Sequence, residues 1–171
     1  MNAHPHPATP RIGAKALLVI AGFVWALGLL VYVTDRPLAH AMLMPSLDGW
    51  HHARPLFGAL GDSLPSFAHP FVLALLTAAV LREARSRYAA CAVWCGIDVA
   101  FECGQHPSIR ESLAHAMHAL LDPVRLGQPL ANYFLRGTFD PGDIVAAVLG
   151  GLAAAVLLRL ANQEGEQSHA R

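Results

Sequence analysis

The sequence predicts an all-α, polytopic membrane protein: a bundle of about four transmembrane helices with short interfacial helices in the extracytoplasmic loops. Three observations predict it. First, 54% of the residues are hydrophobic and only 14% are charged, against about 25% charged in a soluble domain. Mean hydropathy is +0.40. A chain of 171 residues has too little interior to hide that much apolar surface, so the surplus must face lipid. Second, four apolar stretches of about spanning length alternate with segments rich in Pro, Gly and His. Third, one of those stretches, Tyr88–Gln105, gathers its polar residues on a single face. A formal net charge of 0 leaves no basic footprint for nucleic acid.

Residues 1–13 carry prolines, His4 and His6 and no hydrophobic period, which predicts a flexible arm. A single transmembrane domain over 14–161 follows. Its first span is 16–33, an unbroken apolar run behind Arg11 and Lys15. The rival reading, a cleaved leader ending at Ala39-x-Ala41, is disfavoured by the length of the apolar core and by the intervening Asp35, Arg36 and Pro37. Residues 34–65 form a loop. Its Met42, Leu43, Met44, Trp50, Leu56 and Phe57 are expected at the membrane interface, with His51 and His52 adjacent. The second span is 66–81, opening with Ser66, His69 and Pro70, a proline position that a first helical turn tolerates. The REARSR segment 82–87 is a tight connection to the third span, 88–105.

In 106–142, Ser108 and Glu111 form a candidate capping box for one amphipathic helix ending near Asp122-Pro123. The last span is 144–160. There Ala147, Gly151 and Ala155 stand at i, i+4 and i+8, the small-xxx-small spacing that lets helices approach closely. Residues 162–171 read as a polar, frayed tail. Counting the arm with Lys15, the 82–87 turn and the tail with Arg159 on one side places seven of the 12 Lys and Arg residues there, so both termini are expected to be cytoplasmic.

Asp98, Glu102 and Gln105 stand at i, i+4 and i+7 and share a helix face with Cys91 and Cys95. Val93, Trp94, Ile97 and Phe101 are expected to point away from that seam. A carboxylate well inside a membrane helix costs about 2.5 to 3.5 kcal/mol on insertion scales, so it faces protein or water rather than lipid. The i, i+4 cysteines suit packing better than a bridge, Cys103 reads as an unpaired thiol, and no second pair completes a zinc site. With four spans, His69, Glu102, Gln105 and Asp143 are expected at one interface, with Arg136 as partner for a carboxylate and Asp98 one turn deeper. Ser66 and His69 with an acid lack the strand-turn-helix elbow of a hydrolase triad.

In motif order the chain resembles the VanZ-like family of small bacterial integral membrane proteins over roughly residues 66–155. His69 matches a polar residue opening an early span, Glu102 and Gln105 match a Glu-x-x-Gln pair ending a middle span, and Asp143 with Gly150 matches an Asp-x3-Asn-x2-Gly motif in the last. Ala147 stands where that motif has Asn, and Arg136 lies one residue early, with Gly137 in its slot. The resemblance implies a cell-envelope protein of the bacterial inner or plasma membrane, linked to antibiotic resistance of the glycopeptide (teicoplanin) kind. It supplies no chemistry.

The residues themselves admit three functions. The polar site His69, Asp98, Glu102, Gln105, Arg136 and Asp143 is read first as a pocket for a polar head group of an envelope lipid or an amphipathic antibiotic. A second reading is an intramembrane enzyme acting on a lipid-linked envelope substrate, with Glu102 as general acid or base. A third is a structural partner, the Ala147, Gly151 and Ala155 face joining a homo- or hetero-oligomer. No cofactor is expected. Glu111, His115 and His118 share one face of the amphipathic helix and, with a ligand such as His106, form a metal alternative to a plain solvated face. The stripe Leu113, Met117, Leu120 and Leu121 opposite accounts for that helix as interfacial.

Overall fold

The computed structural model describes residues 13–35 and 56–169, with side chains as far as residue 162. Residues 1–12 of the predicted arm, and Met42, Leu43, Met44, Trp50, His51 and His52, lie outside the described residues. The described chain is helical throughout, with six α-helices and no strand. They are α1 (Ala14–Thr34), α2 (Ala59–Val80), α3 (Ala84–Gly104), α4 (Arg110–Leu121), α5 (Gly127–Arg136) and α6 (Pro141–His169), with a short 3-10 turn, Asp122–Val124, between α4 and α5. Three of them, α1, α2 and the Pro141–Asn162 part of α6, are long and apolar enough to cross a membrane. At 1.5 Å per residue each is about 30 Å long, the thickness of a hydrocarbon core.

Helices α1, α2, α3 and α6 form the bundle, with α2 packed against all three others and α6 against α2 and α3. The core is built from small and branched side chains: Leu17 and Ala21 of α1, Val72, Ala74, Leu75 and Ala78 of α2, Cys91 of α3, and Ala154 and Leu158 of α6. Outside it lies a belt of exposed large apolar side chains, among them Val19, Phe23 and Trp25 on α1 and Val145, Leu149, Leu152 and Val156 on α6. A soluble protein rarely leaves so continuous an apolar surface uncovered.

Glycines set the helix spacing on α6. A Cβ at Gly150 would collide with the carbonyl oxygen of Phe67, so α6 rests directly on the α2 backbone there. A Cβ at Gly151 would stand 2.9 Å from Cys95 Cβ on α3. Ala147 is buried and Ala155 packs against the core. At Gly150 and Gly151 the small-residue stretch of α6 thus packs within the chain, against α2 and α3.

Several element boundaries differ from expectation. Helix α2 begins at Ala59, seven residues before 66, and carries both Pro65 and Pro70 in its interior. Its start is fixed by Asp35, whose carboxylate accepts the N–H groups of Leu56 (2.8 Å) and Phe57 (2.7 Å), and by Gly58, whose φ of 52° turns the chain into the helix. Asp35 thus ties the end of α1 to the start of α2. His69 consequently stands eight residues past Gly61, about 12 Å along the helix, and not at its opening. The expected single amphipathic helix is a hairpin of α4 and α5. Its capping box does not form: the Ser108 N–H donates to His106 Nδ1 (3.3 Å), and Ile109, whose side chain caps nothing, takes the N-cap position before Arg110. Helix α6 runs on to His169, through most of the segment expected to fray.

Trp94 also departs from expectation. It packs against the core and donates its indole N–H to Thr77 Oγ1 at 2.9 Å. An indole with a hydrogen-bond partner two or three turns inside the bundle is stable there, whereas Val93 and Ile97 stay exposed as expected. At the α2–α3 turn, Arg87 donates to the Leu81 carbonyl (3.0 Å) and to Asn162 Oδ1 (3.3 Å), tying α3 to the ends of α2 and α6. With Arg82, Arg85 and Arg159 it makes this the arginine end of the bundle.

Candidate functional site

The opposite end is built on the last two turns of α3. Their spacing puts Asp98, Glu102 and Gln105 on one face, and there they meet the α5–α6 connection. Glu102 Oε1 accepts the backbone N–H of Asp140 at 2.7 Å. Asp140 in turn opens α6: its Oδ1 accepts the Gly142 N–H at 2.7 Å, and Pro141 follows at the first helical position. This is the cap chemistry that an Asp-Pro pair favours, a carboxylate on an orphan N–H and a proline where no donor is needed. Glu102 and Asp143 add negative charge at the same helix N-terminus, where the helix dipole favours it.

Gln105, buried at 7% exposure, donates from Nε2 to the Tyr133 hydroxyl of α5 at 2.8 Å. Its amide lies flat over Gly137, where any Cβ would overlap it. The residue in the slot that the family resemblance gives to Arg is thus a glycine because Gln105 occupies the space. Phe101 and Phe134 stack on the same ring cluster, with Tyr133 edge-on to Phe101 at 5.5 Å. His106 packs edge-on to Phe139 at 4.9 Å. Gly104 has room for no side chain between Phe134 and Leu113. The α4–α5 hairpin is therefore clamped on the end of α3 by aromatic rings and one amide, and Phe101, expected to face away, is a half-covered part of that clamp.

Burial pushes the Tyr133 phenol up to about 12, the Glu102 charge adds to this, and the Gln105 hydrogen bond works against it. Tyr32 of α1 and Asp98 also raise it. Tyr133 thus senses groups from α1 and α3 at once. Its phenol keeps its proton at any physiological pH, so it accepts from Gln105 while retaining an O–H to donate. Asp98 lies one turn below Glu102, and its Oδ2 is buried with no hydrogen-bond partner. Asp143, on the first turn of α6, is half-buried.

The structure thus brings together Asp98, Glu102, Gln105 and the start of α6 with Asp143. Two expected members stand apart. Arg136 is exposed at the end of α5 and makes no ion pair among the described residues. His69 is deeper and lines a groove between α1 and α2, sharing it with Tyr32. Tyr133 and Asp140 were not singled out from sequence. The signal for Asp140 was available in its Asp-Pro-Gly-Asp context; Tyr133 gives none, because its role depends on the α5 fold-back. Among the described residues no three His, Cys, Asp or Glu side chains group to hold a metal. Glu111 and His115 are exposed, and His118 Nε2 approaches Asp122 Oδ1 at 4.0 Å instead.

Comparison with family models, with curated proteins and with solved structures finds no match.

Proposed function

We propose that this chain is a four-span membrane protein of the bacterial cell envelope, with cytoplasmic termini, whose extracytoplasmic end binds the polar head group of an envelope lipid or an amphipathic antibiotic. This is the accessory, glycopeptide-resistance-like role that the VanZ-like resemblance implies. In support, α3 is 21 residues long and packs lengthwise against two of the apolar helices, α2 and α6. The excess of Arg lies at one end, and the amphipathic α4 and α5 lie at the other, where they serve as interfacial helices.

The observation that carries the reading is the buried, unpartnered Oδ2 of Asp98 beneath Glu102 and Tyr133. A buried carboxylate oxygen without a donor is costly unless a ligand supplies one. The cluster is rich in acceptors, with Asp98, Glu102, Asp140 and Asp143, so the head group it fits brings donors: an ammonium, a sugar amine or hydroxyls. Glu102 is engaged with the Asp140 N–H, which suits an anchor better than a proton-transfer group.

The test is binding of teicoplanin and of ethanolamine-headed lipid to the full-length protein in nanodiscs. A charge-assisted hydrogen bond of about 1.5 to 3 kcal/mol predicts a loss of about tenfold or more for Asp98→Asn. Unchanged affinity in both Asp98→Asn and Glu102→Gln, with unchanged envelope phenotypes at normal protein levels, overturns the reading.

A further inference from the structure

We propose that the groove between α1 and α2 holds one acyl chain of a membrane lipid, as the tail site of the amphiphile whose head group the carboxylate cluster receives. The inference rests on that head-group reading for its continuity but has its own geometry. The groove encloses about 210 Å³. Its floor is made by Gly28 and Ala68, where a Cβ on the glycine would stand 3.4 Å from the Ala68 methyl, so two small residues let the helices meet low and leave a trough above.

The groove runs along the helices rather than across them. On α2 it extends from Pro65 to Leu76, 11 residues or about 16 Å at the α-helical rise, half of a hydrocarbon core of about 30 Å. That is the length of one leaflet, beginning two residues from the end of α1 at Tyr32 and six residues past the start of α2 at Pro65. The rim is open to the outside through Trp25, Leu29 and Leu76, all exposed. An occupant can therefore enter sideways from the bilayer.

Its walls are apolar except for Tyr32 at the top and His69 partway down. Tyr32 stands two residues before the end of α1, so the upper end of the groove lies at the same end of the bundle as Glu102 and the first turn of α6. A chain in the groove and a polar group at Tyr133 and Asp98 are two ends of one molecule. An acyl chain is the occupant that matches this length, this lining and this lateral opening; a compact polar ligand matches none of them.

The experiment uses the full chain in nanodiscs of phosphatidylethanolamine and phosphatidylglycerol. The probe is a phosphatidylethanolamine bearing a diazirine midway along one acyl chain, with adducts mapped by mass spectrometry after illumination. Labelling of the groove segments 25–32 and 65–76 is expected to exceed labelling of the exposed Leu149, Leu152 and Val156 face of α6 by at least about fivefold, the ratio that about 1 kcal/mol of packing preference gives. Leu73→Trp, which fills the trough from its wall, is expected to abolish the excess while leaving the α6 labelling intact, and the α6 signal reports that the fold is retained.

Equal labelling of the two faces overturns the proposal. So does an unlabelled groove beside a labelled α6, which would mean that another part of the protein or a non-lipid ligand occupies it. His69→Leu separates a chain from a polar occupant: the groove excess persists for a chain, and its loss overturns the assignment. Glu102→Gln separates the two sites. Groove labelling that persists while Asp98→Asn and Glu102→Gln both leave head-group binding unchanged leaves the tail site standing and the head-group reading failed.

Discussion

Substituting Gly150 by alanine is expected to destabilise the bundle even though alanine is the better helix former. The added methyl would meet the Phe67 carbonyl oxygen inside contact distance and would lie 3.2 Å from Pro70 Cγ. The obstacle is backbone, which has no rotamer to change, so α6 must move off α2 by about 1 Å. A gap of that size forfeits a quarter to a half of each contact's dispersion energy, and overpacking of this kind costs about 1 to 3 kcal/mol. The propensity gain from Gly to Ala returns up to about 1 kcal/mol, leaving a net loss of about 1 to 2 kcal/mol. Gly22 and Gly96 supply the control, because a Cβ at either meets nothing within 4 Å. There the same change should stabilise by about 0.5 to 1 kcal/mol. The assay is reversible unfolding in mixed micelles, followed by tryptophan fluorescence. A Gly150→Ala protein as stable as Gly96→Ala would refute the α2–α6 contact and with it the seat of the first turn of α6 beside Glu102.

Further outcomes follow from the same geometry. Glu102→Gln removes a negative charge beside Tyr133 and should lower its titration point from about 12, while Gln105→Leu removes the hydrogen bond that opposes the shift and should raise it; phenolate absorbance reads both. Since the folded phenol holds its proton above the unfolded value of about 10, the unfolded chain binds fewer protons there, and stability should fall as pH rises from about 10 toward 12. Denaturation midpoints over that range test the sign. Thr77→Val strands the Trp94 indole N–H inside the bundle and should cost about 1 to 3 kcal/mol in the micelle assay. Asp140→Ala removes the cap of α6 and should cost about 1 kcal/mol, seen as faster hydrogen exchange at the Gly142 amide.

Composition and helix period made the helical, apolar character of the chain legible, because neither depends on distant residues. The i, i+4, i+7 spacing of Asp98, Glu102 and Gln105 likewise survives in the structure, since a helix face is a local property. What failed was set by tertiary context. A proline looked like a start signal at Pro70, yet Asp35 and Gly58 begin the helix earlier and packing carries it through both prolines. Trp94 looked lipid-facing until Thr77 offered its hydroxyl from another helix. The short α5 was invisible because GQPLANYFLR has no long apolar run; its aromatic side gains meaning only against Phe101 and Gly104. His69 was misplaced by the same seven residues as the start of α2.

The Asp35 carboxylate has a consequence for how this chain tolerates change. By holding the N–H groups of Leu56 and Phe57 against the end of α1, it clasps the end of α1 to the start of α2 directly. Closing the connection between them costs only about 0.6 kcal/mol more for each doubling of its length. The aspartate that hems the two edges is therefore expected to matter more to this corner of the bundle than the length of chain between them.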